Sequence, residues 1–168
     1  MAMETLKRCE LFLGLNDRDI QKIADLPSCQ AKTYKAGEVI FEAGEEAKLL
    51  YMVEEGEVQL ALKLHTPSQP PELTVVRTVT RGGIFGWAAL VPPPFRMMSA
   101  ISKGSSKVIS ISGNELRALF EKDASLGYEV MESLVKVIAS RVWNIEQLLI
   151  SGKGSPFVGK ATTVWLNR

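Results

Sequence analysis

Short alternating apolar runs punctuated by glycines fill the middle of this chain, and that pattern leaves room for little besides a compact antiparallel β fold. The clearest run covers residues 58–65: Val58, Leu60, Leu62 and Leu64 share one face, while Gln59, Ala61, Lys63 and His65 share the other. It follows the apolar run 49–53 and the turn Glu54-Glu55-Gly56-Glu57, and together these predict a hairpin. A third run covers 73–80, after the proline-rich loop Thr66-Pro67-Ser68-Gln69-Pro70-Pro71, and a fourth covers 107–112. Strands this short and this numerous between residues 31 and 112 predict a closed roll.

The period changes on either side of the roll. From 4 to 26, Leu6, Leu11, Phe12, Leu13, Ile20, Ile23, Ala24 and Leu26 fall at helical spacings broken by Gly14, with a cap at Asn16 or Asp17, so two short helices are expected. Ser112-Gly113-Asn114-Glu115 has the spacing of a capping box, and Leu116, Leu119 and Phe120 continue a short helix. A longer helix then runs from about Ser125 to Ile150. Along it, Met131, Val135, Ile138, Val142, Ile145 and Leu149 alternate steps of four and three, the a/d seam of a homodimer. A second row, Val130, Leu134, Val137 and Leu148, lies on a neighbouring flank. The expected class is α+β, mainly β: an antiparallel jelly-roll-like β-roll flanked by short N-terminal helices and a long C-terminal one. The boundaries are helices at 4–26, roll at 31–112, helices at 113–150 and a tail at 151–168.

Composition excludes several functions. With 46% hydrophobic and 23% charged residues the chain is an ordinary folded domain, and its 168 residues suit one core. A net charge of +1 gives no general attraction to nucleic acid or anionic membranes. Cys9 and Cys29 lie far apart without a histidine cluster, which predicts reduced thiols and no metal site. The N-terminal stretch carries Glu4, Lys7, Arg8 and Glu10, unlike a secretory signal, and no apolar run spans a bilayer, so a cytoplasmic location without membrane contact is expected. The tail has no helical apolar period, which argues against a DNA-binding domain. Its Gly154-Ser155-Pro156-Phe157-Val158-Gly159-Lys160 has P-loop spacing, but Ala161 replaces the magnesium-holding hydroxyl. His65 has no nucleophile or acid beside it in sequence, so no enzyme is expected.

One segment carries chemistry. Gly82-Gly83-Ile84-Phe85-Gly86-Trp87-Ala88-Ala89-Leu90 predicts a one-turn helix from about Gly86 to Leu90, whose free N–H groups and dipole suit an anion. After Val91-Pro92-Pro93-Pro94-Phe95, the next strand returns Arg96 to give a charge-assisted contact, with Met97 and Met98 beside it and the Ser99 hydroxyl as a further donor. The prolines stiffen the connecting loop.

Tyr34-Lys35-Ala36-Gly37-Glu38-Val39-Ile40-Phe41-Glu42-Ala43-Gly44 and Tyr51-Met52-Val53-Glu54-Glu55-Gly56-Glu57-Val58, together with the 82–100 segment, resemble the cyclic-nucleotide-binding domains of bacterial catabolite activator proteins and protein kinase A regulatory subunits. The resemblance covers residues 5 to 150. It implies a phosphate-binding cassette formed by Phe85, Gly86, Trp87, Ala88, Ala89, Leu90, Arg96, Met97, Met98 and Ser99. It also implies a purine cap from the long helix, although Arg141-Val142-Trp143-Asn144-Ile145 offers no hydroxyl. In the family the residue after Phe-Gly is a glutamate that accepts a hydrogen bond from the ribose 2′-hydroxyl. Here it is Trp87, whose indole donates but does not accept. Losing a charged partner costs ~1.5–3 kcal/mol, so family-mode affinity for cyclic AMP is expected to fall tenfold to a hundredfold. The expectation is a ligand-sensing regulatory module that takes a cyclic nucleotide or another phosphate-bearing anion, needs no permanent cofactor and signals through its long helix to a downstream protein. The alternatives are an interaction module with a vestigial pocket, or the sensor part of a transcription regulator.

Overall fold

The computed structural model describes residues 2–66 and 69–150. The side chains of His65, Leu148 and Leu149, and the whole tail 151–168 with its P-loop-like spacing, lie outside the described residues. The chain divides into two compact units, Met1–Val130 and Met131–Arg168.

The first unit opens with α1 (Ala2–Lys7) and α2 (Asp17–Ala24). Asn16 caps α2 by accepting from the Asp19 N–H at 2.9 Å. Eight strands follow: β1 (Gln30–Tyr34), β2 (Val39–Phe41), β3 (Leu49–Glu55), β4 (Val58–Thr66), β5 (Gln69–Val79), β6 (Ile84–Phe85), β7 (Ser99–Ser102) and β8 (Ser106–Ser112). They form two four-stranded antiparallel sheets, ordered β1-β8-β3-β6 and β2-β7-β4-β5, the β-roll expected from the alternation. Helix α3 (Gly113–Lys122) and the start of α4 (Ala124–Ile150) complete the unit. None of the helices among the described residues is long and apolar enough to cross a membrane.

The expected hairpin between 49–53 and 58–65 does not form. β3 pairs with β6 and β8, whereas β4 pairs with β5 and β7, so the Glu54–Glu57 turn carries the chain from one sheet to the other. Gly56 makes this crossing with φ +80°, pressed so close to β8 that a Cβ would stand 2.5 Å from the Ser105 carbonyl oxygen. A sharp turn between two alternating runs reads the same whether the runs pair with each other or face each other across a core. Here they face each other: Tyr51, Val53 and Phe85 from one sheet pack against Phe41, Val58, Leu60, Val79 and Ala100 from the other. The alternation in β4 also slips. A register shift at Leu60/Ala61 leaves both residues buried.

β3 is buried on both faces. Tyr51 and Val53 enter the inter-sheet core, while Leu50 and Met52 gather with Ile84, Ile109, Ile111, Cys9 and Phe12. The N-terminal segment is further tied down where Thr5 donates to Glu54 Oε1 at 3.0 Å, with Lys107 3.0 Å from Glu54 Oε2. The backbone N–H of Ile84 donates to Glu10 at 2.8 Å.

The capping box at α3 is half made. Ser112 accepts from the Glu115 N–H, but Glu115 turns to Ser28, accepting from its N–H at 3.1 Å and its hydroxyl at 2.7 Å. Ser28 Oγ in turn accepts from the Ser112 N–H at 2.8 Å, replacing the glutamate in the reciprocal bond. Lys22 completes the link from α2, lying 2.6 Å from Asp123 Oδ2. This bond, followed by the Leu126 N–H, holds the Asp123 carboxyl below the usual carboxylate range.

Gly56→Ala is expected to cost about 2 kcal/mol or more, read as a lower urea midpoint at unchanged m-value. Because the Asp123 pKa is depressed by folding, its contribution is present above the unfolded value and lost on acidification. The stability gap between wild type and Lys22→Met should therefore hold steady near neutrality and close as the pH drops below about 4, in urea melts across that range.

Candidate functional site

Arg96 sits on an extended strip pinned by backbone bonds to the segment before β3. Gly44 N–H donates to the Arg96 carbonyl at 2.8 Å, Arg96 N–H to the Glu45 carbonyl at 2.9 Å, and Ala47 N–H to the Pro94 carbonyl at 2.6 Å. Side chains of an extended strip alternate in direction. Arg96 therefore turns inward to 6% exposure, while Phe95 and Met97 turn outward to 55% and 82%.

Inside, the guanidinium is held on three sides. Nη1 donates to the Gly86 carbonyl at 2.9 Å and Nη2 to the Leu49 carbonyl at 2.6 Å. Its Cζ lies 4.1 Å from the centroid of the Phe41 ring and 5.4 Å from that of Tyr51. Phe85 stacks on Tyr51 at 5.1 Å, so three aromatic rings form one platform beneath the cation. Burial pulls the Arg96 pKa down, and Tyr51 and Glu45 oppose that shift. Nε is buried and has no hydrogen-bond partner among the described residues, which leaves a charged donor unsatisfied where desolvation makes it costly.

The cassette folds around this cation. After β6, Gly86 takes the left-handed region at φ 72° and starts a single 3-10 turn, Trp87–Ala89. A Cβ on Gly86 would run into Arg96 Nη1 and come within 3.1 Å of the Tyr51 ring, so glycine is required by backbone and space alike. Phe85, Ala89 and Leu90 are buried; Trp87 and Ala88 are half-buried. On the far side, Arg117 Nη1 donates to the Ala89 carbonyl at 2.7 Å, and Gly113 lies so close that a Cβ there would overlap the same oxygen. Ser99 Oγ accepts from the Ala43 N–H at 3.0 Å, which leaves its hydroxyl proton available, and Met98 packs against the inter-sheet core.

The structure thus brings Gly86, Arg96 and the carbonyl of Leu49 together, with Ser99 three residues on, at the start of β7. It points Met97 into solvent. Leu49, Phe41 and Tyr51 read in the sequence as strand residues, and neither they nor Glu45 carry a site signal there. Leu49 acts through its backbone, which no side-chain pattern records, and the aromatic platform looks like ordinary core in an alternating strand. In α4, Met131 and Ile138 are half-buried, whereas Val135, Val142 and Ile145 are exposed. Among the thiols, burial pushes Cys9 up to about 12, which leaves it unreactive near neutrality.

A family model for the cyclic nucleotide-binding domain matches residues 31–123. A protein named "putative potassium channel protein" in Rhodopseudomonas palustris is 27% identical over 146 residues, which are 87% of this chain and 33% of that protein. Isozyme 1 of the cGMP-dependent protein kinase of Drosophila melanogaster is 32% identical over 101 residues, 60% of this chain and 13% of the kinase. The chain therefore spans about a third or less of the curated relatives it matches. The regulatory domain of Toxoplasma gondii PKA, solved with cAMP, has 27% identity and a TM-score of 0.65, covering 83% of this chain and 49% of that one. The catabolite activator protein of Thermus thermophilus, at 23% identity and a TM-score of 0.68, covers 84% of this chain and 63% of its own and shares the fold. With two crossed-over antiparallel sheets, a glycine-led cassette turn closed by a buried arginine, and a family match running from β1 into the end of α3, this chain belongs to the cyclic nucleotide-binding domain family.

Proposed function

We propose that the chain is a non-catalytic, ligand-sensing module that binds a small phosphate-bearing anion on Arg96 and signals through its long helix to a downstream partner. One observation carries this reading: a guanidinium 6% exposed, fixed by two backbone carbonyls, with its Nε unpartnered among the described residues. An arginine held this way has its orientation settled before ligand arrives, so little side-chain entropy is lost on binding. An anionic oxygen that gained access to the guanidinium, with the Ser99 hydroxyl as a further donor, would balance a buried charge that now has only carbonyl and aromatic partners in contact. Cyclic nucleotides are the first candidates, since a neighbour of 27% identity was solved with cAMP. Trp87 in the place of the ribose-binding glutamate argues for weakened cyclic-nucleotide binding or a different phosphate ester. Signalling as a homodimer is supported by the exposure of Val135, Val142 and Ile145 at heptad spacing on α4.

The second reading, an interaction module with a vestigial pocket, is favoured by the bonds Arg96 already makes. Both terminal nitrogens are spent on carbonyls, as they would be in a purely structural role.

Calorimetry with cyclic AMP, cyclic GMP and inorganic phosphate separates the two. The sensor reading expects binding that Arg96→Lys abolishes, cyclic-nucleotide affinity weaker than submicromolar, and a gain of about tenfold to a hundredfold in Trp87→Glu. Submicromolar binding by the wild type would sink the role given to Trp87, and silence toward every anion would leave the vestigial reading. In sedimentation the chain is expected to run as a dimer that Val142→Lys dissociates; a wild-type monomer at tens of micromolar would end the seam proposal.

A further inference from the structure

The register of the strip beside the cassette decides what stands opposite the buried cation. Glu46 bridges Phe95 in an antiparallel pair, between the bonds that run from Ala47 N–H to the Pro94 carbonyl at 2.6 Å and from Arg96 N–H to the Glu45 carbonyl at 2.9 Å. One residue along each strand, Glu45 is therefore opposite Arg96, and Ala47 is opposite Pro94. Directly opposite residues of an antiparallel pair share a face, and the faces alternate along the strand. Arg96 and Ala47 are buried and mark the inward face, whereas Phe95 and Glu46 are exposed and mark the outward one. Glu45 thus belongs to the face of the guanidinium, although it stays open to solvent.

Two titrating groups feel its carboxylate. Burial lowers the Arg96 pKa, and Tyr51 and Glu45 oppose that shift. Burial raises the Tyr51 phenol; Arg96 opposes the rise, and Tyr34 and Glu45 add to it. Glu45 acts on Arg96 without a hydrogen bond, since both terminal nitrogens of the guanidinium already donate to carbonyls. The cassette turn Gly86-Trp87-Ala88-Ala89-Leu90 carries no acidic side chain, so this carboxylate reaches the site from the strip rather than from the turn.

We infer that Glu45 sets the charge class of the ligand, so that the Arg96 site takes a monoanion such as a phosphodiester and discriminates against phosphomonoester dianions. This selectivity rests on the sensor reading of the site and adds to it a residue that lies outside the cassette. The attraction of an anion to Arg96 grows in proportion to the ligand charge, but the cost of stripping water from the anion grows as the square of that charge. A single cation partly offset by a neighbouring carboxylate compensates one negative charge better than two. Repulsion from Glu45 is also proportional to ligand charge, so its effect on the logarithm of affinity is twice as large for a dianion as for a monoanion.

The test is calorimetry at about pH 7.5 with adenosine 5′-monophosphate and its phosphate methyl ester, which share a skeleton and differ by one charge because the second phosphate pKa is about 6. The wild type is expected to bind the methyl ester about threefold or more tighter than the monophosphate. Glu45→Gln should raise affinity for the ester about threefold and for the monophosphate about tenfold, which removes the preference, and Glu45→Asp should keep it. Rising salt should shrink the difference between wild type and Glu45→Gln, because the carboxylate is exposed to solvent. A wild-type preference for the monophosphate overturns the inference, as does an equal change for both probes in Glu45→Gln. Either result, with binding still lost in Arg96→Lys, leaves the sensor reading standing. Silence of wild type and Glu45→Gln toward both probes and cyclic AMP overturns the two together.

Discussion

A buried guanidinium without a carboxylate in hydrogen-bond contact is the constraint around which this site is organised. Arg96 reaches the carbonyl of Leu49 at the start of β3 and the carbonyl of Gly86 at the start of the cassette turn, and it lies against the Phe41 ring of the opposite sheet. Carbonyl oxygens and aromatic faces offset part of the desolvation of this cation, and the nearby Glu45 carboxylate acts on it without a hydrogen bond. Everything near it follows from that geometry. Gly86 has no side chain because the guanidinium fills its space, and Phe85, Tyr51 and Phe41 form a continuous aromatic floor.

The back of the cassette is fixed as firmly as its front. Ala89, the last residue of the 3-10 turn, receives Arg117 on its carbonyl and Gly113 against it, so the first turn of α3 and the cassette are in direct contact. The same end of α3 is bonded through Ser112 and Glu115 to Ser28, after α2. A displacement of the cassette would meet α3 first and reach the N-terminal helices through Ser28. That hydrogen-bonded path gives the proposed sensor a physical basis for transmitting a local event.

Much of the architecture was legible in the sequence because periodicity reports burial directly. The alternating runs became strands, the period of α4 became a helix, and Asn16 and Ser112 became caps, since each is a local preference satisfied locally. The failures share a cause. Glu54-Glu55-Gly56-Glu57 reads as a hairpin turn, and Ser112 with Glu115 reads as a closed capping box, but both were redirected by distant partners. β8 takes the place of β4 beside β3, and Ser28 takes the glutamate. The glycines and Arg96 mark the 82–99 segment in the sequence, yet the direction of each side chain came from the pinned strip. That strip sends Arg96 in and Met97 out, although the two are adjacent in sequence.

By itself the sequence determined the element types, the roll and the Phe-Gly…Arg segment on which the proposed site is built, because alternation, glycine positions and that spacing are properties of neighbouring residues. Only the tertiary structure decided which strands pair and which backbone carbonyls hold the guanidinium. Those depend on contacts between residues dozens of positions apart, such as Leu49 and Arg96, and a backbone oxygen has no signature in the identity of the residue that carries it.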